Sequence, residues 1–499
     1  MFVSRKLGLD RENVMNTYSR AKLGILAVLV TLTACGGGGG STNTGGGGGG
    51  LSATGFINWT WVSGSEFANQ TGDYGIQGNA AITNAPRSLE GGVSWTDTNG
   101  DLWMFGGGTE VGQQDVNDLW KYDTGTNQWT WINGNGETTP NQTGNHVTLN
   151  VPNAVGAFGP AAGQYAATWV EPNGAGSNLW LFGGLVRINL AGNTGIANDL
   201  WKFDTNTNQW TWVSGSAATG QQGSYGGVPG IDFPGARWGA ASWVDNTGVF
   251  WLFGGYGKDA VGNTGYLNDL WKYDTGTNEW TGVVSGSFSS VDEAGDYGNK
   301  AIASAMNVPG GRQGSSIWAD SSGNLWLHGG YRFNNIDGPG DFNDLWKFNT
   351  VTNEWTWMSG SNVVNQTGIY GTPGTGSTAN APGARRFAVS WTDTTGKFWL
   401  FGGVRYNASF ESEDFNDIWR FDAATTEWTW MSGSNIVNQV GVYGTQGSTT
   451  EPDNVPGARD VAVSWSTPTA LWLFGGQGVE TVLGTGSAEY YSDLWRFQP

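Results

Sequence analysis

The stretch "NDLWKYDTGTNQWTW" at residues 117–131 decides the fold, because the chain writes it again, lightly edited, at 198–212, 268–282, 343–357 and 416–430. Two fragments of the phrase remain: "SDLWRFQP" at 492–499 and "NWTW" at 58–61. A second phrase precedes each copy: "GVSWTDTNGDLWMFGG" (92–107), "AATWVEPNGAGSNLWLFGG" (166–184), "AASWVDNTGVFWLFGG" (240–255), "SSIWADSSGNLWLHGG" (315–330), "AVSWTDTTGKFWLFGG" (388–403) and "AVSWSTPTALWLFGG" (462–476). Each unit therefore holds four short segments with the two-residue alternation of a strand. The first carries small residues around one Trp, the second runs from Trp to a diglycine, the third reads Asp-Leu-Trp-Lys-aromatic, and the fourth reads Trp-Thr-Trp. Tight Asn/Asp/Gly/Thr turns join segments one to two and three to four, which is hairpin chemistry.

Four strands repeated at a period of about 70 residues predict a β-propeller. The residues resemble the Kelch repeat: an apolar strand closing in Gly-Gly, then an aromatic followed seven residues later by Trp, as in Tyr122 to Trp129. The match recurs in all six units, although the histidine often found early in the first Kelch strand is absent and the loops are longer. The resemblance implies an all-β, six-bladed Kelch-type propeller over 55–499. Its blades are expected near 86–133, 160–214, 234–285, 309–359, 382–432, and 456–499 completed by 55–64. The sixth unit lacks its own Trp-Thr-Trp segment, so the orphan at 58–61 is expected to supply it and close the ring. Every Trp except Trp238 falls at a repeated strand position, which reads as core. Small residues in segment one, such as Ser94, Ser242 and Ser464, suit the crowded axis.

Composition removes whole classes of function. With 84 Gly, 30 Trp and 13% charged residues, the chain is neither a helical protein nor an acidic disordered one. A net charge of −19 argues against nucleic acid as a partner. Before the repeats, Arg20 and Lys22 lead into "LGILAVLVTLTA" (23–34), too short to span a bilayer and of signal-peptide form. Residues 1–34 are read as that signal, with Met15 a possible start. "LTAC" (32–35) resembles the lipobox of bacterial lipoproteins, which implies lipidation of Cys35, the one cysteine present. The run to residue 54 is a Gly-rich tether. The expected location is the bacterial cell envelope, lipid-anchored, with Gly36 favouring the outer membrane.

Function is expected where loops are long. The loops between segments two and three, and between units, run to roughly ten to thirty residues, and both sets fall on one face. Five inter-unit loops carry Tyr-Gly, at Tyr74, Tyr225, Tyr297, Tyr370 and Tyr443, and His146 takes the sixth place. These aromatics read as locks that tuck the loop against its own unit. After the diglycines stand Arg187, Tyr256, Tyr331, Arg332, Arg405 and Tyr406, a mixture suited to sugar stacking, carboxylate pairing or a protein contact. Four units open with Pro-Gly-(Ala/Gly)-Arg, giving Arg237, Arg312, Arg385 and Arg459; Leu89 and Gly163 hold those places in units one and two. These arginines have two readings: bonds within the scaffold, or an arc of cations at the channel mouth that binds an anionic group.

Catalytic constellations largely fail. Kelch propellers include the galactose oxidase type, but its copper site needs two histidines, two tyrosines and a cysteine crosslink. Here only His146 and His328 exist, in different units, so neither copper nor zinc is expected, and no cofactor. His328 replaces the Phe of "WLFGG" and reads as a core substitution. Glu110, Asp341, Glu411, Glu413 and Asp414 lie in variable loops with no diagnostic spacing. The expected function is a membrane-anchored binding module for a protein or carbohydrate ligand. The alternatives are a glycan-acting enzyme of epimerase or mutarotase type and a structural envelope component.

Overall fold

A computed structural model describes residues 58–109, 114–136, 140–157, 159–226, 230–283, 286–334, 338–451, 453–478 and 489–498. The signal segment, Cys35, the tether and Glu110 lie outside the described residues. Among the described residues there is no helix; the chain is all-β and antiparallel, with a β-propeller-like succession of four-stranded sheets. The first sheet joins Val93–Thr96, Leu102–Phe105, Leu119–Asp123 and Gln128–Asn133 in sequence order. The later copies of the two phrases repeat this order, and the second and third sheets each gain a two-residue strand at one edge. In the last sheet, Asn58–Ser63 lies beside Leu494–Gln498, with Trp59 opposite Phe497.

Local chemistry explains each hairpin. Between strands three and four, the Asn127 amide returns to the Asp123 carbonyl at 2.8 Å. Asn127 takes φ 56°, a left-handed value that Asn tolerates better than most residues. This turn places Tyr122 opposite Trp129, ring centroids 4.9 Å apart, so the seven-residue aromatic spacing is a cross-strand pair. Between strands one and two, Asp97 accepts the amides of Asn99 and Asp101 with one oxygen and the Trp103 indole with the other.

Sheets meet through the tryptophans and the diglycines. The strand-one Trp donates its indole N–H to the carbonyl of a strand-two Trp in the following sheet: Trp95 to Trp180, Trp169 to Trp251, Trp243 to Trp326, and Trp465 to Trp103. Ser94 Oγ bonds the Ser464 carbonyl and Ser242 Oγ the Thr168 carbonyl, so small hydroxyl residues let neighbouring first strands approach. The first glycine of each diglycine has no room for a side chain. A Cβ on Gly106 would stand 2.6 Å from the Gly163 carbonyl oxygen, and one on Gly475 would stand 2.9 Å from that of Leu89. Both also take left-handed φ, 72° and 65°, where glycine carries no penalty.

Beyond each diglycine, strands two and three run on as a narrow ribbon, for example Tyr331–Asn334 with Gly338–Asp341 and Val404–Tyr406 with Ser412–Asp414. The long two-to-three loops are thus ribbons in large part.

Candidate functional site

The four arginines of the Pro-Gly-X-Arg motif point into their own sheets. Arg237, Arg312, Arg385 and Arg459 are each 1% exposed. Each guanidinium forks onto an aspartate at the head of strand three: Arg237 on Asp269 at 2.7 and 2.8 Å, Arg312 on Asp344 at 2.7 and 2.9 Å, Arg385 on Asp417 at 2.6 and 2.8 Å, and Arg459 on Asp493 at 2.7 and 2.8 Å. Remaining N–H groups bond carbonyls, such as Gly383 and Gly402 for Arg385. Burial pulls each guanidinium down, yet the facing carboxylate outweighs it and holds the group above its ordinary range. Of the two readings the sequence left open for these four arginines, their side chains make the bonds within the scaffold, and their charges are spent inside the sheets.

The same aspartates anchor the inter-unit loops. Tyr225, Tyr297, Tyr370 and Tyr443 donate their hydroxyls to Asp269, Asp344, Asp417 and Asp493 at 2.5 to 2.7 Å. Trp271, Trp346, Trp419 and Trp495 donate their indoles to the same oxygens. The first two sheets depart from this rule. Tyr74 bonds Asp118 at 2.6 Å, and burial raises that carboxyl against this bond and the charge of Arg87, which precedes the arginine column by two residues. In the second sheet Gly163 leaves the arginine place empty, and His146 Nε2 meets Asp199 at 2.8 Å instead. A void of about 10 Å³ remains beside Gly163 and Asp199, room for about one water.

The other candidates are dispersed. Arg187 pairs with Asp115 at 2.6 Å and Arg405 with Glu413 at 2.7 Å. Arg332 lies 5.5 Å from the Phe342 ring. Tyr256 packs on Trp238 and Tyr266. Tyr331 and Tyr406 are brought together, 5.9 Å apart, with the Arg386 guanidinium over both rings at 4.7 and 4.2 Å.

One circle of equivalent positions stands out. The residues directly after the arginine column are Glu90, Gln164, Trp238, Gln313, Arg386 and Asp460, and each bridges to the residue after its own diglycine. We call them the collar. The residue following each is Gly91, Tyr165, Gly239, Gly314, Phe387 or Val461, all with φ between 47° and 68°. Their amides and carbonyls form a circuit: Tyr165 to Gly91, Gly239 to Tyr165, Gly314 to Gly239, Phe387 to Gly314, Val461 to Phe387 and Gly91 to Val461, at 2.7 to 3.3 Å. Left-handed backbone at a Tyr, a Phe and a β-branched Val costs on the order of 1–3 kcal/mol each, strain that functional sites tend to hold. The Tyr165 and Phe387 rings pack 5.3 Å apart, tilted by 31°, and Trp238 lies 5.2 Å from Tyr165. A Cβ on Gly91 would strike the Tyr165 ring at 2.7 Å, and one on Gly314 the Phe387 ring at 2.8 Å, so both rings lie over the circuit.

The collar combines this aromatic floor with unlike polar groups. Trp238 Nε1 and Gln313 Oε1 are buried with no hydrogen-bond partner among the described residues. Burial, then the neighbouring charges of Asp414 and Glu90, push the Asp460 carboxyl well above the usual range, against the pull of Arg386. Sequence reasoning passed over these positions, although two signals existed: Trp238 is the Trp outside the repeat pattern, and Arg386 is a second arginine directly after the column.

No family model matches the chain, and no curated protein matches it. Among solved structures it is similar to one described as "Structure of YjhT", at 14% identity over 83% of this chain and 98% of that one, with a TM-score of 0.47.

Proposed function

We propose that the protein is a six-bladed, ring-closed Kelch-type propeller, anchored through lipidated Cys35 to the outer membrane of a bacterial envelope. In this reading it binds a glycan in the collar. The observation that carries the proposal is the contrast between adjacent columns. The arginine column repeats and is buried as scaffold, whereas the next residue is Glu, Gln, Trp, Gln, Arg and Asp around one circle, above an aromatic floor. Repetition suits support; unlike residues converging on one place suit recognition of an asymmetric ligand. Aromatic faces with polar groups at their edge suit a sugar ring, which offers C–H faces and equatorial hydroxyls. The hydrogen-bond circuit and the pairing of Asn58–Ser63 with Leu494–Gln498 support the closed ring. A glycan and peptide array probed with the protein and with Trp238→Ala tests the reading. Retention of a glycan by the parent and its loss in the variant is the expected result; a ligand held equally by both places recognition elsewhere.

One observation favours a second reading, a glycan-acting enzyme of epimerase or mutarotase type. Asp460, raised in pKa beside Glu90, is suited to exchange a proton with a bound sugar. Anomeric or epimeric exchange of an array hit, followed by NMR, separates turnover from binding.

A further inference from the structure

Two collar residues on neighbouring sheets hold polar groups that the fold leaves unused. Gln313 is 2% exposed, and its carboxamide makes no hydrogen bond among the described residues. Every other buried Asn among them has a side-chain hydrogen bond, as Asn307 has to the Trp355 carbonyl at 3.0 Å. Gln164 makes the contrast direct. It holds the same place in the second sheet and donates to Asp115 of the first ribbon at 2.7 Å. Tyr266, opposite Tyr256, holds the place of Asp115 in the third ribbon and does not bond Gln313. Trp238, one sheet back, is 8% exposed, and its indole N–H also has no hydrogen-bond partner among the described residues. The two positions adjoin. A Cβ on Gly239, next to Trp238, would lie 3.3 Å from the Gln313 Cβ, and the Gly314 amide, next to Gln313, bonds the Gly239 carbonyl at 2.9 Å. Buried polar groups left unbonded cost stability, which an apolar residue of the same shape would avoid.

From these open groups we infer the class of sugar that the collar takes: a neutral pyranose with two free neighbouring hydroxyls, clasped by the Gln313 carboxamide, while the Trp238 indole donates to a third oxygen. The inference rests on the collar reading above and names its ligand class. A carboxamide presents a donor and an acceptor side by side, and adjacent hydroxyls of one ring meet both at once. A secondary amide does not, because its trans geometry turns N–H and C=O to opposite sides. An acetamido group therefore meets one end alone. An acidic sugar finds no free cation among the described collar residues, since Arg386 already carries Asp341 at 2.7 Å. With no bond to break, the Gln313 carboxamide turns toward a ligand at the cost of a rotamer change only. The floor is close by, because Trp238 packs 5.2 Å from the Tyr165 ring.

The full chain in detergent micelles is titrated with trisaccharides of 1,4-linked glucose, galactose, mannose and xylose, with the same compounds O-methylated at positions 2 and 3, with tri-N-acetylchitotriose and with trigalacturonate. The expected result is that a neutral trisaccharide binds, and that O-methylation or Gln313→Met weakens it by on the order of thirtyfold or more. Gln313→Met should melt no lower than the parent, because it removes a buried group that bonds nothing, whereas Gln164→Met should melt lower. Lower melting of Gln313→Met would mean that the carboxamide is bonded within the scaffold, through an ordered water for instance, and would overturn the inference. Binding of none of the neutral sugars overturns it as well. Tri-N-acetylchitotriose held more tightly than every neutral sugar overturns the diol, and trigalacturonate so held overturns the neutrality. If an array glycan is lost in Trp238→Ala but kept in Gln313→Met, the inference fails while the collar reading stands. If neither variant alters any binding, both fail.

Discussion

The guanidinium of Arg385 lies fork to fork on the carboxylate of Asp417, at 2.6 and 2.8 Å, with both side chains sealed from solvent. Removing one partner leaves the other buried and uncompensated, which costs about 3–5 kcal/mol. Arg385→Met should therefore destabilise the fold by that amount, against the small cost a ligand-facing arginine would carry. Combining it with Asp417→Asn removes the stranded charge, while Tyr370 and Trp419 keep an acceptor, and should recover part of the loss. Urea unfolding of the two variants checks the order; equal loss in both would contradict the buried-pair account.

The second sheet offers a comparison. Asp199 has His146 and the Trp201 indole as its side-chain partners, whereas Asp417 has Arg385, Tyr370 and Trp419. Tyr370→Phe removes one hydrogen bond to a charged group, worth about 1.5–3 kcal/mol. His146→Phe removes the group that stands opposite Asp199 in place of both Tyr and Arg, so it should cost more. Paired melts at one pH, chosen near neutrality, decide the ranking.

Trp59 is buried beneath two sheets at once, 5.1 Å from Phe401 of the fifth and 5.0 Å from Phe497 of the sixth. Trp59→Ala should cost about 3–5 kcal/mol, the range for emptying a large aromatic site. Unfolding should remain a single cooperative transition at lower denaturant, since the strand serves a sheet interface. A variant that frays locally and keeps the parent midpoint would contradict this.

The sheets were legible because each strand announces itself by a repeated Trp and each hairpin by an Asp, Asn or Gly with a defined turn role. The orphan "NWTW" could be matched to "SDLWRF" since a strand-three phrase without its strand four leaves an edge unpaired. The site was less legible. Repeated arginines invite a functional reading, yet their Asp partners lie 32 to 34 residues further on, and nothing in that separation tells a buried fork from a solvent-facing arc. The collar depends on a register: only when Trp238, Arg386 and Asp460 are seen at one place in their sheets does their variation become informative. The Tyr-Gly loops fared better, because an aromatic at a fixed offset in successive loops has a structural purpose regardless of what it touches.

The lipid anchor is tested in cells. If Cys35 carries the acyl chains, Cys35→Ser should move the protein from the membrane to the soluble fraction and abolish labelling by a palmitate analogue, with the fold unchanged. Unaltered fractionation would remove the lipoprotein reading.

His328 gives a pH dependence with a definite sign. Five sheets place a Phe before the diglycine, at Phe105, Phe182, Phe253, Phe401 and Phe474, and the fourth places this histidine. It is 1% exposed, and neither ring nitrogen has a hydrogen-bond partner among the described residues. Burial, then the charge of Arg385, push its pKa down to about 3 from an ordinary 6.5, with Asp344 opposing and Arg312 adding to the fall. The unfolded chain therefore binds a proton that the folded chain refuses throughout that window. Stability from this group is complete above pH 6.5 and is lost as the pH falls toward about 3. The loss is at most about 1.4 kcal/mol per pH unit. His328→Phe removes the linkage and restores the residue used by the other sheets. Its advantage over the parent should widen by about 2–3 kcal/mol between pH 7 and pH 4.5, measured as the difference between two urea titrations. An advantage that stays constant across that range would show that the imidazole takes up its proton in the fold as readily as in the unfolded chain.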